Sequence, residues 1–504
     1  MKKTIAYILT LAMLATCPLT TFAETADATG AAETTVESNE LPEGMGKEGM
    51  PGEPPEGMGN PPEGMPGDPP EGGAPGEGGA PGEGGMGGPG GFGGTTAPGG
   101  GSADFEYAAA TELTEAAEAS GETYASETAD ESALIVNTDG DVTLSDITVS
   151  KPGSSNGGDN CNFYGLNAAL LAMGGGTVTI TGATVTSDAD GANGVFSYGG
   201  NGGRNGAQGD GTTVVVSDST IVTTGDGSGG IMTTGGGTTY ASDLTVETSG
   251  RSSAAIRTDR GGGTVVVDGG TYTTSGLGSP AIYSTADITV SNATLISNLS
   301  EDVCIEGLNS ITLENCDMTA NNTRMNGNAT FLDTIMIYQS MSGDADSGTS
   351  HFTMTGGSLT NLNGHMFHVT NTHAVITLAG VELVNEDDEG ILLSVCADGW
   401  SGADNIAELN AVGQSLAGTI LVGDDSSLTL SLTEGSSFEG TFSGAITNAK
   451  GETVSTEVGE VAVTLDDTST WTLTADTWIT ALNGDIANVN ANGHTLYVNG
   501  EAVA

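Results

Sequence analysis

The sequence predicts an all-β fold, a right-handed parallel β-helix (solenoid) of roughly a dozen coils, preceded by a disordered Gly/Pro-rich segment. Three observations predict it. First, an apolar phrase returns along the chain as Thr177–Ile180, Thr213–Val216, Thr264–Val267, Asp287–Val290 and Ser310–Leu313, with a degenerate copy at Thr238–Ala241. Second, two further apolar marks follow at fixed offsets. Val185, Ile221, Val246, Tyr272, Leu295 and Met318 come seven residues after the second residue of each phrase, and Val195, Ile231, Ile256, Ile282 and Ile305 come seventeen after it. Third, the repeat length is 23 to 26 residues except where inserts at 151–166 and 199–210 stretch it to 36. Three short strands per turn, each with inward apolar residues in fixed places, describe a coil that stacks on itself.

Residues 1–23 read as a signal peptide. Lys2 and Lys3 form a basic start, Ile5 to Ala15 an apolar run too short to span a bilayer, and Thr21-Phe22-Ala23 a cleavage site. Lipid attachment at Cys17 is the competing reading. Either one exports the protein, so the expected location is secreted, extracellular or cell-surface.

Residues 24–103 are a Gly/Pro/Glu/Met-rich linker in which Pro-Pro-Glu-Gly-Met occurs at 54–58 and 61–65. Such a segment has too little apolar surface to offset its ordering entropy, so it is expected to be disordered. Residues 104–133 are expected to form an N-terminal cap or first irregular coil, with Phe105 to Ser120 rich enough in Ala and Glu for a capping helix, and Gly121–Tyr124 and Ala133–Val136 reading as strands.

Residues 134–504 are the β-helix domain. Period-two alternation within each phrase sends Val178 and Ile180 inward and Thr179 outward. Triple glycines at 174–176, 235–237 and 261–263 suit tight corners that need positive φ. Beyond 320 the period loosens, but Phe352–Met354, Val375–Leu378, Leu428–Leu430 and Trp471–Leu473 still read as strands. Inserts into coil corners become loops on one side, commonly the functional one.

The net charge is −55, with ten Lys and Arg. That excludes nucleic acid as the default partner, because phosphates need cationic contacts. It favours solubility and leaves Ca2+ as a candidate cofactor, with Asp139-Gly140-Asp141 and Asp188-Ala189-Asp190-Gly191 as acidic corners. Cys161, Cys304, Cys316 and Cys396 match no zinc spacing and read as buried thiols, with a disulfide in the exported protein as the alternative.

Two constellations bear on function. An outward row, Thr184, Thr220, Thr245, Thr271 and Thr294, would stack hydroxyls about 4.8 Å apart. Just outside the third strand, Phe196, Met232, Arg257, Tyr283 and Glu306 would be neighbours on successive coils, with Tyr198, Asn162 and Tyr164 in or near the flanking inserts. Aromatic faces beside an arginine and a carboxylate are a means of holding a sugar. The candidate ligand-binding residues are therefore Phe196, Tyr198, Arg257, Tyr283 and Glu306. His365, His368 and His373 also cluster, but their spacing keeps all three off one strand face.

Gly191–Gly200, Ser252–Gly263 and Met336–Ala345 resemble secreted right-handed parallel β-helix proteins of anaerobic bacteria, in the broad pectin-lyase-like class and often labelled adhesin-like. The resemblance covers about 120–504 and implies the fold without a defined activity. Asn137-Thr138-Asp139 matches one tripeptide of the polygalacturonases in that class. Their remaining motifs are missing, so no catalytic residue is carried over.

The expected function is non-enzymatic: adhesion, or binding of an extracellular polysaccharide or a host or cell-surface ligand. The alternatives are a polysaccharide lyase or hydrolase with an unrecognised site, and a structural cell-surface or matrix component.

Overall fold

The computed structural model describes residues 106–201 and 208–504. The signal-peptide and linker readings lie outside the described residues. The chain forms a parallel β-helix. Three long sheets, of 14, 10 and 15 strands, are built from the phrase strands, the second strands and the third strands respectively. At ~4.8 Å per strand the 15-strand ladder extends roughly 67 Å, somewhat longer than the dozen coils expected.

The register follows the sequence columns. Val142, Val178, Val214, Thr239, Val265, Ile288 and Ile311 are successive partners, and the column continues through Phe352, Ile376, Leu409, Leu430 and Val463. Together with the other two inward columns they make one continuous apolar core. The degenerate phrase fits because its buried Thr239 pairs its hydroxyl with Thr233 at 2.6 Å, which spares a buried unsatisfied polar group.

The corner between the phrase strand and the second strand places Asp146, Asp218, Asp243, Asn292 and Asn315 at φ 48–55°, interspersed with Gly182, Gly269 and Gly356, also at positive φ. Asp, Asn and Gly are the residues that tolerate this left-handed conformation. The glycines of the third-strand corner behave as expected, with Gly174, Gly175, Gly235, Gly236, Gly261 and Gly262 all at positive φ.

One expectation is decided between its alternatives and one needs correction. Residues 109–120 form no capping helix but the first coil, and 121–124, read as strand-like, lie in it. Ala109–Leu113, Ala117–Ser120 and Thr123–Ala125 are strands that open the three sheets. Their inward–outward alternation in register with the next coil outweighs the helix propensity of Ala and Glu. The offset of seventeen also fails at the fifth coil, where Val303, not Ile305, pairs with Ile282. A two-residue shortening keeps the same parity, so both side chains still point inward.

After Glu382–Asn385 the second-strand sheet ends. The next coils consist of two long strands each, Asn405–Val412 with Ser415–Val422 and Ser426–Thr433 with Ser437–Ser443.

The third-strand sheet is covered on its outer face as well. Every residue of Val195–Tyr198, Ile231–Thr234, Ile256–Thr258, Ile282–Ser284, Val303–Glu306, Asp333–Tyr338, His365–Thr370 and Ile391–Val395 is buried. The cover comes from the short helix Asn160–Tyr164 and from chain around 321–332, 340–347 and 396–404. It packs as separate clusters around Phe163, Tyr164 and Phe196, around Tyr283, Tyr338 and Trp400, and around Phe331, Cys396 and Ile446.

Candidate functional site

The outward column of the third-strand sheet runs Phe196, Met232, Arg257, Tyr283, Cys304, Met336, His368, Ser394. Four of the five expected neighbours are therefore in register. The fifth, Glu306, stands beside Tyr338 instead. It still meets Tyr283, whose hydroxyl donates to Glu306 Oε2 at 2.6 Å.

Between the first two covering clusters lies a polar seam. Arg257 Nη2 contacts Asp259 Oδ2 at 2.5 Å, donates through Nη1 to the Ser252 carbonyl at 3.1 Å, and sits 5.2 Å from the Tyr283 ring centroid. Arg260 stacks over Phe163 at 4.0 Å and donates to Asp344 Oδ1 at 2.6 Å. Glu306 accepts from Tyr283, Tyr338, Ser340 and Ser342.

Burial dominates the electrostatics. It pushes the Asp159 carboxyl up to about 6, with Asp259 and Asp344 adding to the rise and Arg257 and Arg260 opposing it. It also raises Asp259 and Glu306, in Glu306 against the donors from Ser340 and Tyr283. Burial works against the charge of Arg257, but Asp259 and Tyr283 hold its pKa above the ordinary value.

The expected sugar face is thus not open. Phe196 is fully covered, Glu306 and Arg257 are 1% and 2% exposed, and Tyr283 and Tyr198 are 5% and 9% exposed. The insert at 151–166 and the later corner loops fold over this sheet rather than flanking it. Tyr198 packs edge-on to Tyr164 at 6.0 Å, and Asn162 accepts from Asn193 at 3.1 Å. Arg260 and Asp344 bring the seam to the surface, with side chains 21% and 22% exposed, and Asp159, Ser340 and Ser342 are half-buried beside them.

A second cluster lies further along the same sheet. His365 Nδ1 and His368 Nδ1 both stand 2.7 Å from Ser394 Oγ. One hydroxyl has one proton, so one imidazole accepts it and the other must donate its own N–H. His368 Nε2 lies 3.4 Å from Asp398 Oδ2, and Asp398 Oδ1 accepts from Thr330 N, Thr330 Oγ1 and Gly399 N. Burial and His368 hold His365 down at about 3, against the pull of Asp398.

Ser394, His368 and Asp398 follow the order of a nucleophilic site, but His368 Nε2 and Asp398 Oδ2 approach without a hydrogen bond. The side chains of His368 and Asp398 and the whole of Ser394 have no exposed surface, so the arrangement braces the covering loop against the sheet. Sequence reasoning missed Ser394 and Asp398. The available signal was His365 and His368 three apart on a strand whose both faces are buried. His373 is elsewhere, on the phrase-strand sheet, 3.0 Å from Glu408.

The remaining candidates have local roles. Asp190 Oδ1 accepts the amide of Asp226 on the next coil at 2.9 Å, which links rungs. Thr138 Oγ1 accepts from Gly140 N at 3.1 Å, so Asn137-Thr138-Asp139 shapes a turn. The four cysteines Cys161, Cys304, Cys316 and Cys396 are free and buried. Among the described residues no three of His, Cys, Asp or Glu converge as a metal cluster, and no helix is long and apolar enough to cross a membrane.

The threonine row is longer than expected. Thr123, Thr148, Thr184, Thr220, Thr245, Thr271 and Thr294 are successive partners on the second-strand sheet. The first six are exposed and Thr294 is half-buried. The parallel outward row, Ser150, Thr186, Val222, Glu247, Thr273 and Ile296, carries one acid and no base. Comparison with protein-family models, with curated proteins and with solved structures finds no match for this chain.

Proposed function

We propose that the protein is a secreted or cell-surface, non-enzymatic β-helix that binds a neutral extracellular polysaccharide, or a neutral glycan on a host or cell surface, through the open face of its second-strand sheet. The observation that carries this reading is the seven-coil row of threonines, in register and at or near the surface. Hydroxyls repeating about every 4.8 Å both donate and accept, so they suit a flat array of sugar hydroxyls. A net charge of −55 disfavours an anionic polymer. The third-strand side, first expected to hold the ligand, is covered. Export is part of the same reading and rests on Lys2, Lys3, the Ile5–Ala15 run and Thr21-Phe22-Ala23.

The test is a pull-down of the full chain on insoluble neutral polysaccharides, cellulose and chitin among them. Thr220→Lys/Thr245→Lys places two long side chains in mid-row. It is expected to cut binding at least tenfold with an unchanged melting temperature. Retention of binding by this variant would sink the face assignment, and release of reducing or unsaturated ends from any polymer would sink the non-enzymatic reading.

A further inference from the structure

The open face of the second-strand sheet carries a pocket of about 220 Å3 at the ends of the strands Thr148–Lys151, Thr184–Ser187 and Thr220–Thr223. One wall is the in-register row Ser150, Thr186 and Val222. The other is Pro152, Asp188 and Thr224, each two residues further along the same coil. From the rise per residue and the strand spacing, the walls stand about 7 Å apart and the three coils span about 10 Å. Ser150 and Val222 are half-buried and the other four wall residues are exposed. Lys151 lies beneath with no exposed surface. Its ammonium donates to the Thr128 carbonyl at 3.0 Å and to the Gly153 carbonyl, so its charge is held inside the fold. The Asp188 carboxylate is then the one formal charge on the walls.

This volume falls below the roughly 300–1,000 Å3 of sites for drug-sized ligands, so it suits one sugar ring rather than an oligomer. Pro152 and Val222 stand at opposite corners and offer apolar surface to the C–H groups of a pyranose. Asp188 stands across from Thr186 in the middle. A carboxylate only accepts, and its two oxygens can take two neighbouring sugar hydroxyls in strong charge-assisted hydrogen bonds. The hydroxyls of Ser150, Thr186 and Thr224 both donate and accept. The same carboxylate repels a uronate or a sulfated sugar at this range.

We propose that this pocket is a single-sugar subsite for a neutral pyranose with adjacent free hydroxyls, and that Asp188 selects against acidic sugars. The inference rests on the polysaccharide reading of the face. It adds a fixed point at which the threonine row would bind its ligand in one register.

The subsite is tested with single sugars, apart from the polymers that test the face. Saturation-transfer NMR on the full chain uses the methyl glycosides of glucose, galactose, mannose and N-acetylglucosamine, with methyl glucuronide as the acidic probe. At least one neutral glycoside should bind, and the glucuronide should not. Thr186→Met/Val222→Met fills the pocket with uncharged bulk and should abolish the signal. Asp188→Asn, an exposed and isosteric change, should weaken the neutral sugar about tenfold at an unchanged melting temperature, since hydrogen bonds to a charged group are the stronger ones. The proposal is overturned if no neutral glycoside binds, if the glucuronide binds equally well, or if either variant binds like wild type. Retention on cellulose or chitin without binding of any single sugar would remove the subsite and leave the face. Failure of both would remove both.

Discussion

Removing the Arg257 guanidinium should cost the fold more than any ligand contact could explain. The Arg257 and Asp259 side chains are 2% and 3% exposed, so solvent screens neither charge. Arg257→Met keeps most of the volume but leaves Asp259 with the Arg260 amide, at 2.9 Å, as its remaining donor in the seam. Breaking a buried pair from one side costs about 3–5 kcal/mol, most of it the penalty for the abandoned charge. Asp259→Asn in the same chain removes that charge, so the double variant should recover most of the loss rather than add to it.

The pH dependence has a definite sign. Burial already raises the Asp259 carboxyl in the presence of Arg257, and without the arginine it rises further. A raised folded-state pKa means stability that is full below the unfolded value, near 4, and lost as pH climbs through the folded one. Arg257→Met should therefore be least destabilising near pH 4 and most so at pH 7. Urea denaturation followed by circular dichroism at both values measures it. An Arg257→Met midpoint equal to wild type at pH 7 would refute the reasoning and return Arg257 to the list of ligand contacts.

Three further outcomes follow from the same structure. Asp302 has no exposed surface, and burial pushes its pKa well up against a backbone donor at Thr319. Asp302→Asn should gain about 1–3 kcal/mol in urea at pH 7 and nothing near pH 3, where the wild-type carboxyl is neutral in both states. Gly225, Gly250 and Gly276 stack on successive coils, and a methyl on Gly250 would meet the Gly225 carbonyl oxygen at 1.8 Å. Gly250→Ala should cost at least about 1–3 kcal/mol by overpacking, seen as a lower melting temperature. Ile256→Asp puts an unpaired charge into the core and should abolish amide-exchange protection in its own coil first, because a solenoid coil depends on its neighbours.

The inward half of the fold was legible because burial enforces it position by position. Val178, Ile221 and Ile256 could be placed by counting, and even the shortened coil at Val303 preserved the parity that counting relies on. What lay outside the sheet was not legible. Whether Phe196, Arg257 and Tyr283 face water depends on loops at 160–164, 321–332, 340–347 and 396–404, whose sequences carry no period. The same gap explains Ser394 and Asp398. The first lies on the outer side of a covered strand and the second in the loop that covers it, so only the fold brings them to His368. Glu306 reached its expected partner Tyr283 from a different register, through the length of a side chain. The Ala/Glu stretch before 120 stayed ambiguous because composition favours a helix there, while pairing with the next coil favours a strand.

The end of the second-strand sheet at Asn385 has a consequence for anything that lies along it. Ten strands span roughly 43 Å, and beyond them the cross-section flattens and that side ceases to exist. The molecule thus carries a built-in yardstick. Affinity for a linear oligomer should climb with each added unit until the oligomer is as long as this strip, and then stop climbing.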